Sequence, residues 1–242
     1  MKHPQPRGLS RQCVQELLSK AKSEHSAAGR VEAFAGRFLG YPYQPNPLIG
    51  SADTAEAFTA SFDGFDCVTY IETVLALARA SSVNEFIESL RKIRYERGSI
   101  QWARRNHFMT DWLRNNEREG VVRPVSMRAL PIVKRERVLN GVAGLAARRT
   151  RVRCVPKPAM PLVVPYLQTG DLICFASTRR NLDVFHAGII VLDGKRILMR
   201  HASRSAGLVV EQELSEFLKS NRMAGVIVAR PQQVTERVAA AH

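Results

Sequence analysis

The sequence predicts an α+β fold in which N-terminal helices pack on a C-terminal antiparallel sheet or partial barrel. Between about residues 11 and 120, apolar residues recur three and four positions apart, which is the spacing of amphipathic helices. From about residue 160 to 232, short apolar or β-branched runs are separated by turn residues, which is typical of antiparallel strands. No Pro/Gly/Ser-rich linker divides the chain, so residues 1–242 are expected to form a single domain.

Helices are expected in three places, because each shows an apolar stripe at helical spacing. Asp66 stands in the N-cap position of the second helix, directly after a turn at residues 63–66. Before it, three prolines and two glycines in residues 40–50 predict an irregular but restricted loop. The expected helices cover residues 11–39 with a break near residues 27–29, residues 67–80 and residues 83–93.

The strand-rich part contains a predicted hairpin that brings two histidines together. Asp193-Gly194 stands between two apolar runs and is typical of a tight turn. If these two residues form the loop, His186 and His201 lie seven residues on either side of it and directly opposite each other. The expected strands cover residues 172–175, 187–192, 196–201, 208–210 and 226–229.

The charge balance favours polyanionic partners, because 36 Lys and Arg against 22 Asp and Glu give a formal net charge of +14. The acidic polymers of a cell wall fit this charge, as do anionic lipids. The basic residues are scattered and no zinc-finger, RNA-binding or P-loop signature accompanies them, so nucleic acid is not expected as a partner. No apolar run approaches the roughly 20 residues of a membrane span, so stable membrane insertion is not expected either.

Cys67 is a candidate nucleophile. It opens a helix, and the positive end of a helix lowers the pKa of a thiol and so favours the reactive thiolate. A cysteine among apolar residues is also typical of a core thiol, so its position alone leaves both interpretations open. The remaining cysteines, Cys13, Cys154 and Cys174, have no metal-site spacing, so a structural metal is not expected. Their disulfide status is undetermined. No cofactor is expected either.

The two histidines favour the nucleophile interpretation. Cross-strand neighbours have Cβ atoms about 4.5 to 5.5 Å apart, which suits one imidazole acting as a base and a second that orients it. The predicted chemistry has Cys67 attack an amide carbonyl, His186 move the proton and His201 orient His186. The backbone N–H of Cys67 is expected to hold the oxyanion.

Three motifs in this order, FDC opening a helix, FHAGIIV in a strand and RHAS on the next strand, resemble the NlpC-type papain-like cysteine amidases. Five blocks between about residues 38 and 210 resemble a bacterial branch formerly catalogued as a domain of unknown function: FLGYPYQPNPL, FDCVTYIETVLALA, IRYERG, RNHFMTDWLRNN and GDLICFAS. The resemblance implies a papain-like fold and hydrolysis of the amide between N-acetylmuramic acid and L-Ala. The substrate it implies is peptidoglycan or its fragments.

The same resemblance implies further site residues. Tyr43 matches a loop tyrosine near the oxyanion, and Asp66, His107, Asp111 and Trp112 are candidates for oxyanion or substrate binding. For the block around Trp112, an amphipathic edge with a buried tryptophan is an open alternative. Residues 48–51 depart from the Gly-Glu-Gly turn of the branch, so the substrate contacts of that loop stay open.

Other functions remain open at this point. A related enzyme would cut the stem peptide between D-Glu and the diamino acid, and a non-catalytic cationic protein would bind the cell wall. Cys67, His186 and His201 are also the residue types of a catalytic zinc site. The substrate class implies the cell envelope or periplasm, whereas the lack of an apolar segment near residue 1 leaves a cytoplasmic location open. Neither the oligomeric state nor the natural N-terminus follows from the sequence.

Overall fold

The computed structural model describes residues 5–21 and 23–233. Its helices are α1 (Arg11–Lys20), α2 (Ala27–Arg37), α3 (Cys67–Ala78), α4 (Val83–Arg94), α5 (Met109–Arg118), α6 (Met160–Val163) and α7 (Leu214–Ser220). Its strands are β1 (Val122–Pro124), β2 (Val133–Leu139), β3 (Arg148–Pro156), β4 (Leu172–Ala176), β5 (Val184–Asp193), β6 (Arg196–Ser203), β7 (Leu208–Glu213) and β8 (Gly225–Pro231). Among the described helices, none has the length and apolar character needed to cross a membrane.

One antiparallel sheet runs in the order β2-β3-β8-β4-β5-β6-β7, with β1 also paired to β8. The sheet is not closed, so the α+β class is confirmed in its open-sheet form. Side chains alternate between the two faces of the sheet. On one face Cys174 and Ile189 pack with the larger helices, and on the other Phe175 and Ile190 pack with α6 and α7.

Helix α3 is the centre of the helical part and holds the predicted nucleophile at its first position. Residues 69–77 are all buried, and most of them are apolar. The helix contacts α2 and α4 on one side and strands β5 and β6 on the other. This packing fixes the start of α3, and therefore Cys67, against the sheet.

The β5–β6 hairpin forms as predicted but in a different register. Asp193 pairs with Arg196, so the loop is Gly194-Lys195 rather than Asp193-Gly194, and Gly194 adopts the φ of +58° that this turn requires. In the observed register, His201 falls opposite Gly188, two residues from His186. Because a shift by two residues keeps a side chain on the same face, the two imidazoles still meet.

Several boundaries differ from the predicted ones. Ser26 caps α2 by accepting a hydrogen bond from the N–H of Gly29, so the break between the first two helices lies before Ala27 rather than around residues 27–29. The polar and aromatic segment after residue 105 contains α5. The strand-rich part starts well before residue 160, because β1, β2 and β3 precede it.

Candidate active site

Cys67 is held at the start of α3 by a capping box. The Asp66 carboxylate accepts hydrogen bonds from the N–H groups of Val68 (3.1 Å) and Thr69 (2.7 Å), and the Thr69 hydroxyl accepts one from the N–H of Asp66 (3.0 Å). The predicted N-cap is therefore confirmed. The cap leaves the N–H of Cys67 outside these bonds, at the positive end of the helix.

His186 is the first member of a hydrogen-bonded relay across three strands. Its Nε2 lies 2.7 Å from Nδ1 of His201, with the two rings nearly perpendicular at 85°. Nε2 of His201 lies 2.8 Å from Oε1 of Gln212 on β7. His201 is buried, so its orientation is fixed by these two bonds.

The relay determines which nitrogen of each imidazole carries a proton. The Gln212 carbonyl oxygen only accepts hydrogen bonds, so Nε2 of His201 carries the proton. A neutral His201 then accepts at Nδ1, and Nε2 of His186 must be the donor. This leaves Nδ1 of His186 unprotonated, outside the relay and available as a base.

Burial decides the protonation states of the two reactive groups. It raises the pKa of the Cys67 thiol to about 12, with a further increase from Asp66, while the N–H groups of Ala187, Cys67 and Val68 act in the opposite direction. Burial also lowers the pKa of His186 to about 3, with a further decrease from His201. The position of Cys67 at a helix start predicts a lowered thiol pKa, but desolvation is the larger effect here. The resting pair at neutral pH is a thiol and a neutral imidazole.

Cys67, Phe185 and His186 lie where two cavities meet. The first cavity, here named the Asp183 arm, has a volume of about 480 Å³ and its charged and titratable lining residues are Asp66, Glu72, Arg105, His107 and Asp183. The second, here named the Arg204 arm, has a volume of about 780 Å³ and includes Tyr43, Ser203, Arg204, Gln212 and Asn221. Volumes of this size suit a ligand with two chemically different parts, one in each arm.

Tyr43 and His107 lie at the cleft, one in each arm. Burial raises the pKa of Tyr43, and the next largest cause is Cys67, which places the phenol within electrostatic range of the thiol. Nε2 of His107 lies 2.7 Å from the carbonyl oxygen of Trp102. The His107 imidazole also contacts the Trp102 ring edge-on. Burial lowers the pKa of His107.

Asp111 and Trp112 do not lie at the cleft. Trp112 is fully buried and donates a hydrogen bond from its indole to Glu72 (3.2 Å), so its expected contact with substrate is not supported. Asp111 forms ion pairs with Arg114 and Arg148 and lines neither arm. The alternative of an amphipathic segment with a buried tryptophan describes this region correctly.

Among the cleft residues that the sequence analysis did not predict are Asp183, Arg204 and Gln212. Asp183 is buried and accepts hydrogen bonds from the N–H (2.7 Å) and hydroxyl (2.8 Å) of Thr110, which ties the start of α5 to β5. Gln212 lies two residues beyond the predicted end of its strand. The one sequence signal that could have indicated Gln212 is strand alternation. Gln212 lies on the same face of β7 as Val210, which pairs with His201.

The zinc alternative finds no ligand set. Within residues 5–21 and 23–233, no three His, Cys, Asp or Glu side chains are grouped so as to hold a metal ion. Both ring nitrogens of His201 are already engaged in hydrogen bonds with His186 and Gln212. His201 therefore acts on His186 rather than on a metal.

A separate cavity lies between α2 and the C-terminal end of α3. Arg30 lines it, but its guanidinium donates to the carbonyl oxygens of Ala78 (2.7 Å) and Ala80 (2.6 Å) and so stabilises the end of α3. No cysteine is among its described lining residues. Cys67, His186 and His201 line the other cleft.

Comparison with known proteins places these residues in a family. A family model described as AmiA-like, N-acetylmuramoyl-L-alanine amidase-like, matches residues 33–226. The chain is similar to the crystal structure of an N-acetylmuramoyl-L-alanine amidase from Bacteroides uniformis, with 26% identity, 86% of this chain and 99% of that chain covered, and a TM-score of 0.76.

Two further solved structures are similar. A Legionella pneumophila protein of the family model DUF1460 shares the fold, with 20% identity, 92% of this chain and 94% of that chain covered, and a TM-score of 0.80. A putative xylanase from Bacteroides fragilis has 26% identity, 82% and 99% coverage, and a TM-score of 0.72. No curated protein matches the chain. Since the family model spans Cys67, His186, His201 and Gln212, the chain belongs to the AmiA-like, N-acetylmuramoyl-L-alanine amidase-like family.

Proposed function

We propose that this protein is a cysteine amidase that hydrolyses the amide between N-acetylmuramic acid and L-Ala, in peptidoglycan or its fragments. The observation that carries the proposal is that Cys67, at a helix start, shares one cleft with the His186–His201–Gln212 relay. The family and the named amidase from Bacteroides uniformis support the substrate class. The NlpC-type papain-like fold belongs to the same proposal, supported by a helix-start cysteine and two histidines on neighbouring antiparallel strands.

In the first step, Sγ of Cys67 attacks the carbonyl carbon while Nδ1 of His186 takes the thiol proton. A carbon–sulfur bond forms and the carbonyl electron pair moves to oxygen. The N–H of Cys67 donates to this oxyanion, with the Tyr43 hydroxyl as a proposed second donor. Each such donor is typically worth about 3 kcal/mol in the transition state.

In the second step, the His186 imidazolium gives its proton to the leaving amine of L-Ala as the carbon–nitrogen bond breaks. The muramoyl group stays on Cys67 as a thioester. His186 then removes a proton from water, which attacks the thioester and restores the thiol and a free carboxylic acid. No proton is gained or lost by the enzyme over the cycle.

The relay stabilises the charged intermediate form of His186. A buried imidazolium is costly, and the lowered pKa of His186 expresses that cost in the resting protein. During catalysis its proton at Nε2 is shared with Nδ1 of His201, which Gln212 holds in the accepting tautomer. A neutral His201 therefore orients the base by accepting this hydrogen bond, whereas a charged His201 would oppose protonation of His186.

Cleavage of a glycosidic bond, as in the name of the Bacteroides fragilis relative, is less compatible with this cleft. Such cleavage generally needs two free carboxyl groups, one as an acid and one as a base or nucleophile. Asp66 and Asp183 each accept backbone hydrogen bonds at the start of a helix, and Glu72 is paired with Arg94 at 2.7 Å. All three carboxylates at the cleft are thus engaged in structural roles.

The test is to digest a muramoyl tetrapeptide with the protein and identify the products by mass spectrometry. The proposal predicts free N-acetylmuramic acid and an intact peptide that begins with L-Ala. Release of a muramoyl dipeptide instead would identify the stem-peptide endopeptidase. If neither bond is cut but the protein still binds the wall polymer, the non-catalytic alternative holds.

A further inference from the structure

The two arms of the cleft carry opposite charge. Among the described residues that line the Arg204 arm, Arg204 is the one charged side chain. Arg204 is exposed and lies in the turn between β6 and β7. Among the described residues, no carboxylate lies within ion-pair distance of its guanidinium. A free guanidinium in a cleft is a site for a carboxylate, which it binds with two parallel hydrogen bonds.

The Asp183 arm is acidic instead. Arg105 lines it, but its guanidinium is paired with the buried Glu56, and Glu72 is paired with Arg94. The carboxylates of Asp66 and Asp183 accept hydrogen bonds from N–H groups and have no cationic partner among the described residues. An anionic part of a ligand is therefore repelled from this arm and attracted to the other.

Arg204 also lies within electrostatic range of a residue beside Cys67. It lowers the pKa of Tyr43, whereas Cys67 raises it, so the guanidinium and the thiol both lie within electrostatic range of one phenol. Ser203 and Ser205 line the arm on either side of Arg204 in sequence, and Asn221 lines it as well. These are hydrogen-bonding groups suited to a peptide backbone.

The proposed substrate has a matching asymmetry. Its scissile amide joins an uncharged muramoyl group to a peptide whose second residue, D-Glu, is linked through its side chain and keeps a free α-carboxylate. We propose that the Arg204 arm binds the leaving stem peptide, with Arg204 bound to this carboxylate, and that the Asp183 arm holds the uncharged sugar. This inference rests on the proposed function for the identity of the substrate.

The test measures binding rather than turnover, so that it is independent of which bond is cut. The Cys67→Ala protein is titrated by calorimetry with N-acetylmuramoyl-L-Ala-D-Glu whose side-chain carboxyl is blocked as a methylamide, and with the analogue in which an amide also replaces the α-carboxylate. Each titration is repeated with Arg204→Gln added. Arg128→Gln is the matched control, because Arg128 is exposed and lines neither arm.

Loss of one charge-assisted pair is expected to raise the Kd of the carboxylate ligand about tenfold in the Arg204→Gln variant. The Kd of the amide ligand should stay within about twofold, and the Arg128→Gln control should change neither value. Equal weakening of both ligands, no change in either, or no binding of the carboxylate ligand would overturn the inference. Failure of the wild-type protein to cleave the muramoyl amide would overturn the proposed function without changing this binding result.

Discussion

Nε2 of His186 lies 2.7 Å from Nδ1 of His201, although the two residues are offset by two positions along the β5–β6 ladder. This diagonal contact lets His201 reach past its own strand to Gln212 on β7. The proposed base, the residue that orients it and the acceptor that fixes the tautomer therefore come from three consecutive strands.

Gln212 is expected to be a positioning residue. Its replacement by Met removes the acceptor, so His201 loses the constraint on its tautomer, and kcat should fall about 10- to 100-fold with little change in KM. Gln212→Glu keeps an acceptor and should recover most of the rate, and its negative charge should move the acidic limb of the kcat–pH profile upward. Gln12→Met, on the surface of α1, is the control. Equal losses in the Met and Glu variants would contradict the tautomer role.

The Cys67 thiol is expected to be protonated in the resting enzyme. Because burial raises its pKa to about 12, the rate of alkylation by iodoacetamide should rise about tenfold per pH unit between about pH 7 and pH 10. The measurement uses a Cys13→Ala background, since Cys13 is partly exposed while Cys154 and Cys174 are buried. A plateau beginning near neutral pH would instead show a resting thiolate–imidazolium pair.

His186 is expected to make stability depend on pH in the acidic range. Its pKa is about 3 in the folded protein, against an ordinary value of 6.5, so below about pH 6.5 the unfolded chain binds the proton more readily. The contribution is complete above pH 6.5 and the free energy of unfolding falls progressively towards about pH 3. The free energy of unfolding, measured with urea at each pH across this range, should depend less steeply on pH in the His186→Phe variant. An unchanged slope would mean that His186 is not desolvated.

The buried Glu72–Arg94 pair beneath the cleft is expected to matter for stability. Glu72→Ala leaves the Arg94 guanidinium without its buried counter-charge and the Trp112 indole without its acceptor, and should cost about 3 to 5 kcal/mol. The matched control is Glu136→Ala, which breaks an exposed pair with Arg151 and should cost at most about 1 kcal/mol. Similar midpoints of urea unfolding for the two variants would contradict this difference.

The sequence predicts the position of Cys67 at a helix start well because its signals are local. The Asp66 cap and the mostly apolar α3 depend on residues close in the chain, and they position Cys67 without long-range information. The hairpin register is wrong by two because the turn is set by which residue adopts positive φ, and Gly194 adopts it in the first loop position. The two histidines still contact each other because a register shift of two residues keeps both side chains on the same face of the sheet.

Other features depend on tertiary context. Strands β2 and β3 escape prediction because their outward positions carry exposed charges, Lys134, Arg149, Arg151 and Arg153, which obscure the apolar alternation. Trp112 looks like a binding residue in sequence, but the distant Glu72 satisfies its indole in the core. The desolvation that raises the thiol pKa likewise arises from the assembled cleft.

The proposed role of Cys67 as the nucleophile is open to one decisive activity measurement. Cleavage of a muramoyl peptide is followed by mass spectrometry with Cys67→Ala, using Cys13→Ala as the control that removes a partly exposed thiol elsewhere. We expect Cys67→Ala to abolish release of the L-Ala peptide, while Cys13→Ala cleaves at the wild-type rate. Full cleavage by Cys67→Ala would show that Cys67 is not the nucleophile.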